Sequence, residues 1–386
     1  MMLKDGPAGH VLLDVDDIAE HGTSKHHEAM TKLRTIFRFG KWANIYGSEA
    51  DSCGRTIIQL KDYSFKIHQA KFIKERLTPI VIARGRAGNK DAETTDGEKS
   101  QLRAALGCTN WVQRESRLDA SGDSSIQMSR LTTSVVQDLL DTNILIKRLQ
   151  AEPHLGIILP AIPLKDVKWA GVQDASWNNI KEGHSQAGFI AGVTDKRLWE
   201  NKEAPFGIIS FKSHKLPRKV NSTLAAESQS MSECTAEIEW LRGLFEELTN
   251  PEFNIVEWRK YTRHRSLLTA SRSTDPDKKL KKYLSICDAK SLYDNLKNET
   301  AGIASDRRVA IDIQIIRGSL NDQGGEVRWV DHIGMYADAL TKRNGNIPLI
   351  QLLMKTGKLI IHEEKLTLQK HQENPTKWHS KMKSKV

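Results

Sequence analysis

The feature that most constrains the fold is the order of apolar runs between residues 166 and 345. Three apolar or alternating runs separated by turn signals predict an antiparallel meander: VKWAGVQDASW, SQAGFIAGVTD and FGIISFK. A long helical pattern follows, and after it come a short strand (YLSICD), helices around 289–297 and 306–320, a strand (EVRWVD) and a helix starting near Met335. This order is typical of an α/β or α+β domain.

One charged residue lies in the apolar stripe of the long helix, STLAAESQSMSECTAEIEWLRGLFEEL. Steps of three and four residues place Glu227 in line with apolar side chains: Met231, Cys234, Ile238, Leu241, Phe245 and Leu248. Because burial of an unpaired charge is costly, a second charge or a metal ion is expected beside Glu227. The alternative is an ordinary first-turn acid, favoured by the helix dipole, with Asn221, Ser222 or Thr223 as the N-cap.

Three further acids follow predicted strands. Asp174 comes after WAGVQ, Asp288 after LSIC, and Asp338 shortly after VRWV. Ligands of open sheets gather at strand ends, so these acids and Glu227 could form one cluster. Clustered carboxylates repel one another unless cations hold them, and oxygen-rich sites select Mg²⁺ or Mn²⁺. Two such ions are the usual device for phosphodiester cleavage, although single acids at strand ends are also common without a function.

Composition narrows the class of protein. The chain has 386 residues and is 39% hydrophobic and 27% charged, which suits a soluble protein of two or three domains. Its cysteines are far apart and form no CxxC pair, which argues against a zinc site or a disulfide framework and fits a reducing compartment. The acidic start is unlike a signal peptide, and no apolar run approaches the length of a membrane span. An intracellular protein without a membrane contact is expected.

The positive charge is unevenly distributed. The net charge is +10, and basic residues greatly outnumber acidic ones between residues 259 and 282 and in the C-terminal tail. Such stretches suit a polyanion, and the nucleic-acid contacts predicted from the first of them are Lys278, Lys279, Lys281 and Lys282. The alternative is a solvated loop without a partner.

The front of the chain shows a mixed pattern. HVLLDVDDI is an apolar run broken by acids, HHEAMTKLRTIF has helical spacing, and RTIIQLKDYSFKIHQ predicts two strands around a turn at Lys61 and Asp62. The polar segment 85–100 is the best candidate for a flexible loop or boundary, and two helical patterns follow it. A second boundary is expected near ILPAIPLKD.

The motifs of the second half, taken in order, resemble the ribonuclease H domain of copia-type retrotransposon polyproteins. They are DASW, the STLAAESQSMSECTAEIEWLRGLFEEL helix, DAKSLYDNL and RWVDHIGMYADALTK, and they cover about residues 166–345. The resemblance implies a ribonuclease H-like fold, which is a mixed five-stranded sheet with flanking helices. It also implies two Mg²⁺ or Mn²⁺ ions and hydrolysis of the RNA strand of RNA·DNA hybrids. Four catalytic, metal-binding carboxylates are implied: Asp174, Glu227, Asp288 and Asp338. Glu227 would then point into the metal site.

The front resembles the reverse transcriptase of the same polyproteins. LLDVDDIAEHG is similar to the YVDD hairpin, and this implies that Asp16 and Asp17 are remnants of the polymerase metal site. Four later stretches resemble the segments that follow that hairpin in the family: FRFGKW, CGRTIIQLKD, LRAALGCTNWVQRESRLD and VVQDLLDTNILIKRLQ. An exposed turn is the alternative for DVDD. A calcium loop is disfavoured because position 12, counted from Asp14, is Lys25 and not a glutamate.

Departures from the family pattern limit what the front can do. Asp14 replaces an aromatic residue, RLD stands for RPD, residues 259–282 look like an insertion, and Met1 lies just upstream of the hairpin. The fingers, the first half of the palm and the first metal-binding aspartate are therefore expected to be missing, and polymerase activity to be lost. The predicted division is a partial palm (1–85), a loop and helical thumb-like segment (86–165), a ribonuclease H-like domain (166–345) and a basic tail (346–386).

Three readings follow from the resemblance. The first is an active ribonuclease H from the C-terminal part of a Pol polyprotein, located in a cytoplasmic retrotransposon particle or in the nucleus. The second is a binding remnant that holds nucleic acid by charge and cuts nothing. The third is an untranslated or unfolded pseudogene remnant.

Overall fold

A computed structural model of the protein describes residues 2–3, 6–14, 17–180, 183–264, 282–297, 306–362 and 369. The first elements are β1 (Met2–Leu3), β2 (Gly6–Pro7), β3 (Gly9–Asp14), β4 (Asp17–Gly22) and α1 (Ser24–Ile36). β1 pairs with β2, and β3 pairs with β4 in an antiparallel register that sets Asp14 opposite Asp17. The apolar run that is interrupted by acids therefore contributes to two antiparallel strands, β3 and β4, and the helical spacing after it corresponds to α1.

A four-stranded antiparallel sheet and a group of helices come next. They are β5 (Ala50–Ser52), β6 (Arg55–Gln59), β7 (Phe65–His68), α2 (Ala70–Arg76), α3 (Asp96–Glu115), α4 (Ser121–Met128), α5 (Val136–Ala151) and β8 (Ile157–Leu159). The strand order is β5-β6-β7-β8, so β8 returns after the helices to pair with β7. β6 and β7 confirm the two strands predicted around the turn at Lys61 and Asp62.

The polar segment predicted as a loop over 85–100 is shorter than expected. α3 begins at Asp96, because Thr95 and Glu98 form a reciprocal capping box that starts the helix within the polar stretch. Glu98 also binds the Arg86 guanidinium at 2.7 Å, which ties the remaining loop to the helix. Polarity alone did not distinguish this helix start from a loop.

The second half contains the main sheet and its helices. These are β9 (Lys168–Ile180), β10 (His184–Thr194), β11 (Ala204–Pro205), β12 (Gly207–Lys215), α6 (Thr223–Thr249), α7 (Ile255–His264), β13 (Tyr283–Cys287), α8 (Lys290–Lys297), α9 (Arg307–Gln323), β14 (Gly325–Trp329), α10 (Asp338–Thr341), α11 (Ile347–Thr356) and β15 (Lys358–Leu359). The sheet order is β12-β10-β9-β13-β14. β9, β10 and β12 form the predicted antiparallel meander, whereas β13 is parallel to both β9 and β14.

Helices pack on both faces of the main sheet, which confirms the predicted fold class. On one face the side chains of α6, α8 and α9 join those of the strands in one hydrophobic cluster, in which the Trp169 ring of β9 packs edge-on against Phe245 of α6. A Cβ on Gly171 would lie 2.5 Å from the Cys234 Sγ atom, so this glycine lets α6 lie directly against β9. On the other face, Ile350 and Leu353 of α11 pack against the sheet, although α11 falls within the segment predicted as a tail.

The single helix predicted to start near Met335 is instead a series of shorter elements. Residues 332–334 form a short 3-10 turn, α10 is only four residues long, and α11 begins as a separate helix at Ile347. The Asn346 side chain accepts the Leu349 N–H and caps α11, and Pro348 follows at the start of that helix. Proline favours the first turn of a helix and disfavours its interior, so the chain restarts here rather than continuing.

Candidate active site

Three of the four predicted carboxylates converge at one end of the main sheet. The ligand oxygens of Asp174, Glu227 and Asp288 all lie within 4.8 Å of one another. Asp174 lies on the central strand β9, and Asp288 directly follows the parallel neighbour β13. Because Ile286 pairs with Val172, the same register continued by two residues sets Asp288 beside Asp174.

Helix α6 brings Glu227 to the same point. Ser222 is the N-cap, and its Oγ atom accepts the Ala225 N–H at 3.2 Å. One turn after Glu227, the Ser230 hydroxyl donates to the Asp174 carbonyl at 2.9 Å and to the Gly188 carbonyl at 3.3 Å. The start of the helix is therefore fixed to β9 and β10, with the apolar stripe of α6 on the sheet beyond it.

Glu227 is buried, with 3% of its surface exposed, so it is not a solvated first-turn acid. Its Oε1 atom accepts the Ala175 N–H at 3.3 Å, whereas Oε2 has no hydrogen-bond partner within the described part of the chain. A buried carboxylate oxygen without a partner is costly unless a ligand satisfies it. This orphaned atom belongs to the side chain that meets the oxygens of Asp174 and Asp288, which is where a cation would lie.

Burial and mutual repulsion raise the pKa of all three acids. Burial raises the pKa of Glu227 well above its ordinary value, and the charges of Asp174 and Asp288 add to the shift. Burial also raises the pKa of Asp174, against the opposing effect of the Lys342 ammonium. The pKa of Asp288 is raised to about 8 by burial and by the neighbouring Asp174 charge. Without a cation, simultaneous ionisation of the three acids is therefore unfavourable.

The fourth predicted carboxylate, Asp338, lies beside this group but is not among the acids whose oxygens lie within 4.8 Å of one another. Asp338, at the start of α10, accepts the Asn346 N–H at 2.7 Å and forms an ion pair with Lys342. The same Lys342 amine lies 3.6 Å from an Asp174 oxygen, and the Thr341 hydroxyl donates to that oxygen. Lys342 therefore bridges Asp338 and Asp174, and its charge is shared between them.

Sequence reasoning did not assign a role to Lys342. Its signal was present in ADALTK, because a lysine four residues after Asp338 can form an i,i+4 pair on a helix. The contact with Asp174 needed the fold, since α10 and β9 are far apart in the chain.

Only some of the other predicted site residues lie in the part of the chain that the structure describes. Asp17 is exposed at the start of β4, and among the described residues it joins no group of three metal-ligating side chains, whereas Asp16 lies outside the described residues. Lys282 is exposed immediately before β13, whereas Lys278, Lys279 and Lys281 lie outside the described residues. These assignments remain predictions.

A second basic surface was missed by sequence reasoning. A cavity beside the start of α6 is lined by side chains that include Arg218, Lys219 and Arg308. Arg218 is paired with Asp312 at 3.2 Å, and the nearby Trp177 indole donates to the Val220 carbonyl at 3.1 Å while 46% of the tryptophan remains exposed. Basic and aromatic side chains therefore lie on the sequence segments adjoining Asp174 and Glu227.

A second group of metal-ligating residues lies in the four-stranded sheet: Glu49, His68 and His154. Two imidazoles and a carboxylate suit Zn²⁺, but one nitrogen of each imidazole already contacts a group outside this set. The Lys74 amine lies 3.0 Å from His154 Nε2, and His68 Nδ1 accepts the Ala70 N–H at 3.3 Å while its Nε2 lies 3.4 Å from Glu49. The acid cluster, with its unpartnered oxygen, is the stronger candidate for a metal centre.

No helix within the described ranges is long and apolar enough to cross a membrane. A scan against protein-family models finds no match, and neither does a search of curated proteins. Solved structures give three similarities. The first is RNase H1 from the halophilic archaeon Halobacterium salinarum, with 11% identity over 45% of this chain and 94% of that one, at a TM-score of 0.28.

The second is the N-terminal RNase H domain of a Mycobacterium tuberculosis protein, solved as a fusion with maltose-binding protein, with 12% identity over 45% of this chain and 91% of that one, at a TM-score of 0.26. The third is a foamy viral protease-reverse transcriptase in complex with an RNA/DNA hybrid, with 9% identity, a TM-score of 0.36 and 83% of this chain covered. The match spans 56% of the length of the foamy viral protein.

Proposed function

We propose that this protein is a ribonuclease H-type endonuclease that hydrolyses the RNA strand of RNA·DNA hybrids. The observation that carries the proposal is the geometry of the acid cluster. Asp174, Glu227 and Asp288 bring their oxygens within 4.8 Å of one another, and one buried oxygen of Glu227 has no partner among the described residues. Such an arrangement is unfavourable for the fold alone and suits the binding of a hard cation.

The residues present fit the divalent cation that such a reaction requires. The donor set is entirely carboxylate oxygen, which selects Mg²⁺ or Mn²⁺ over softer metals. Asp174, Glu227 and Asp288 would hold it, and Asp338 would contribute to a second ion from across Lys342. Bound Mg²⁺ would supply the activation of water and the charge stabilisation of in-line phosphodiester cleavage.

The protein's own groups orient these ligands. The Ala175 N–H holds one oxygen of Glu227, and the Thr341 hydroxyl holds one oxygen of Asp174. The Lys342 amine supplies a positive charge between Asp174 and Asp338, and these acids raise its pKa in return, so it stays charged at neutral pH. This single charge offsets part of the repulsion and leaves the cluster short of neutralisation.

The surface next to the cluster suits a hybrid duplex. Arg218, Lys219 and Arg308 would bind backbone phosphates, and Trp177 would pack against a sugar or a base. The basic stretch that ends at Lys282 would add phosphate contacts, with the A-form shape and 2′-hydroxyls selecting the RNA strand.

The direct test is the cleavage of an RNA·DNA hybrid labelled on its RNA strand. The purified protein is expected to cut the hybrid with Mg²⁺, to stop when EDTA is added, and to leave the matched DNA duplex intact. Binding of the hybrid without cleavage under all metal conditions would favour the alternative, a nucleic-acid-binding remnant without activity.

The origin we propose is the C-terminal part of a copia-type retrotransposon polyprotein, acting in a cytoplasmic particle or in the nucleus. Reverse transcription is not expected from these residues, because Asp17 is exposed and joins no group of three metal-ligating side chains in the part of the chain that the structure describes. Primer extension on an RNA template by the pure protein would contradict this expectation.

A further inference from the structure

The segment that carries Asp338, Thr341 and Lys342 is too short to be a stable helix on its own. α10 is a four-residue helix, and helices of that length are unstable without neighbours. Two of its side chains contact Asp174, so any movement of the segment changes the charge balance of the acid cluster. Its position must therefore come from the elements packed against it.

Helix α4 packs against this segment, and α5 contacts it through the Asp141 side chain; these two helices are called here the brace. A Cβ on Gly122 of α4 would lie 2.5 Å from the Ala339 carbonyl oxygen and 3.0 Å from the Lys342 carbonyl oxygen. The backbone of α4 therefore lies directly against the carbonyl groups of α10. Only glycine allows this approach, because any side chain at position 122 would push the two backbones apart.

Two polar contacts fix the end of the segment to the brace. Arg343 forms an ion pair with Asp141 of α5, whose side chain is 9% exposed, and Asp141 also accepts from the Gln137 amide at 2.8 Å. The Asn344 N–H donates to Asp123 of α4 at 3.4 Å, and Arg148 holds the other oxygen of Asp123 at 2.8 Å. The residue next to Lys342 is thus held by a buried carboxylate from a distant part of the chain.

We propose that the brace positions the active-site segment, and that Asp141, acting through Arg343, is a positioning residue for Lys342 and Asp338. This inference rests on the proposed function for its catalytic consequence, but the positioning itself is independent of any metal. The ribonuclease site is then assembled from residues 166–345 together with helices that precede them, rather than from residues 166–345 alone.

The experiment compares three variants of the full chain. Asp141→Asn removes the charge that holds Arg343 and keeps the volume, and Asp141→Glu keeps the charge. Glu152→Gln is the matched control, because Glu152 pairs with Lys355 at 3.0 Å and so links the end of the brace to α11 through an exposed ion pair away from the acid cluster. Arg343→Met provides a second route if Asp141→Asn does not fold.

The first readout is amide hydrogen exchange without metal. Residues 338–344 are expected to exchange about tenfold faster in Asp141→Asn, to remain close to the parent in Asp141→Glu, and to be unchanged in Glu152→Gln. Loss of a group that orients a ligand typically costs 10- to 100-fold in metal affinity or activity, so the Mg²⁺ concentration that gives half of the thermal stabilisation should rise by about tenfold in Asp141→Asn. For hybrid cleavage, kcat should fall while KM stays the same.

Exchange and Mg²⁺ response in Asp141→Asn or Arg343→Met that match those of Glu152→Gln would overturn the inference. A parent protein that neither responds to Mg²⁺ nor cleaves the hybrid would overturn the proposed function instead. In that case the exchange of residues 338–344 still decides whether the brace positions the segment.

Discussion

The buried carboxylate of Asp119 and the buried acid cluster have opposite electrostatic surroundings. Asp119 is fully buried, but both of its oxygens accept from the Arg117 guanidinium at 2.8 Å, and Gln351 donates to one of them at 3.0 Å. These contacts lower the pKa of Asp119 despite its burial. Asp174 and Glu227 are similarly buried, but their nearest charges include other acids, and their pKa is raised.

The difference separates a structural ion pair from a candidate metal site. The hydrogen-bonding groups of the Arg117–Asp119 pair have partners within the protein. Two guanidinium nitrogens bind Asp119, and the third donates to the Glu152 carbonyl at 2.9 Å. The acid cluster has one ammonium, from Lys342, for several carboxylates. A protein can keep such an excess of buried negative charge only at a cost in stability, which a bound cation would offset.

The largest expected effect is the loss of hybrid cleavage in Asp288→Asn. This change removes a charge with hardly any change in volume, and cleavage should fall by about 100-fold or more, the scale on which one transition-state-stabilising group acts. The matched control is Asp294→Asn, since Asp294 is an exposed acid paired with Lys290 on α8. Full activity in Asp288→Asn would remove this residue from the metal site.

The same variant should respond to Mg²⁺ in a distinct way. Without metal, its melting temperature should equal or exceed that of the parent, because one repelling charge is gone. With Mg²⁺, the parent should gain more stability than the variant, because the ion binds only the folded site. A parent melting temperature indifferent to Mg²⁺ would contradict the two-metal proposal.

The second largest effect is expected on the free energy of unfolding when the buried Arg117–Asp119 pair is broken. Asp119→Asn leaves the Arg117 charge buried with a poorer partner, and the free energy of unfolding should fall by about 3–5 kcal/mol. Urea denaturation measures this decrease, which should be the same with and without Mg²⁺. A decrease below about 1 kcal/mol would mean that the buried pair resembles an exposed one and that the comparison with the acid cluster fails.

The third prediction concerns pH in the metal-free protein. The pKa of Asp288 is raised from 3.8 to about 8, so the folded state holds this proton more tightly than the unfolded state. The contribution of Asp288 to stability is therefore largest below pH 4 and is lost as the pH rises towards 8. The free energy of unfolding should fall less steeply over this range in Asp288→Asn than in the parent, and parallel pH profiles would contradict the raised pKa.

The smallest effect is expected from the basic stretch outside the acid cluster. Replacing Lys278, Lys279, Lys281 and Lys282 with alanine should weaken hybrid binding and flatten its salt dependence. The slope should fall by about one log unit of affinity per log unit of salt for each phosphate that these lysines neutralise in the parent. Fluorescence anisotropy at several salt concentrations measures the slope. An unchanged slope would identify the stretch as a solvated loop.

Much of the fold around the site could be predicted from the sequence because its signals are local. The meander of β9, β10 and β12 and the strand β13 were predicted from apolar runs bounded by turns. The position of Glu227 in the stripe of α6 likewise indicated a charge that needed a partner, and the structure brings it to Asp174 and Asp288. The metal-binding roles of these acids remain predictions.

The interactions that were missed are those between distant parts of the chain. The pairing of Arg343 with Asp141 and the position of Lys342 between Asp174 and Asp338 leave no periodic pattern in the sequence. The start of α3 was missed for a different reason, since its capping box lies within a stretch whose polarity resembles a loop. The division into domains was argued from composition and remains a prediction.

The site draws its charged groups from β9, α6, the end of β13 and α10, and this order has a consequence for synthesis. A growing chain exposes Asp174, Glu227 and Asp288 well before it includes Lys342, which supplies the only cation within contact of Asp174 in the described structure. Until that lysine arrives, the three acids lack the counter-charge that the described structure brings to Asp174, so they must take up protons or cations from solution before they can be buried together. We therefore expect the acid cluster to reach its final arrangement late, after α10 has left the ribosome.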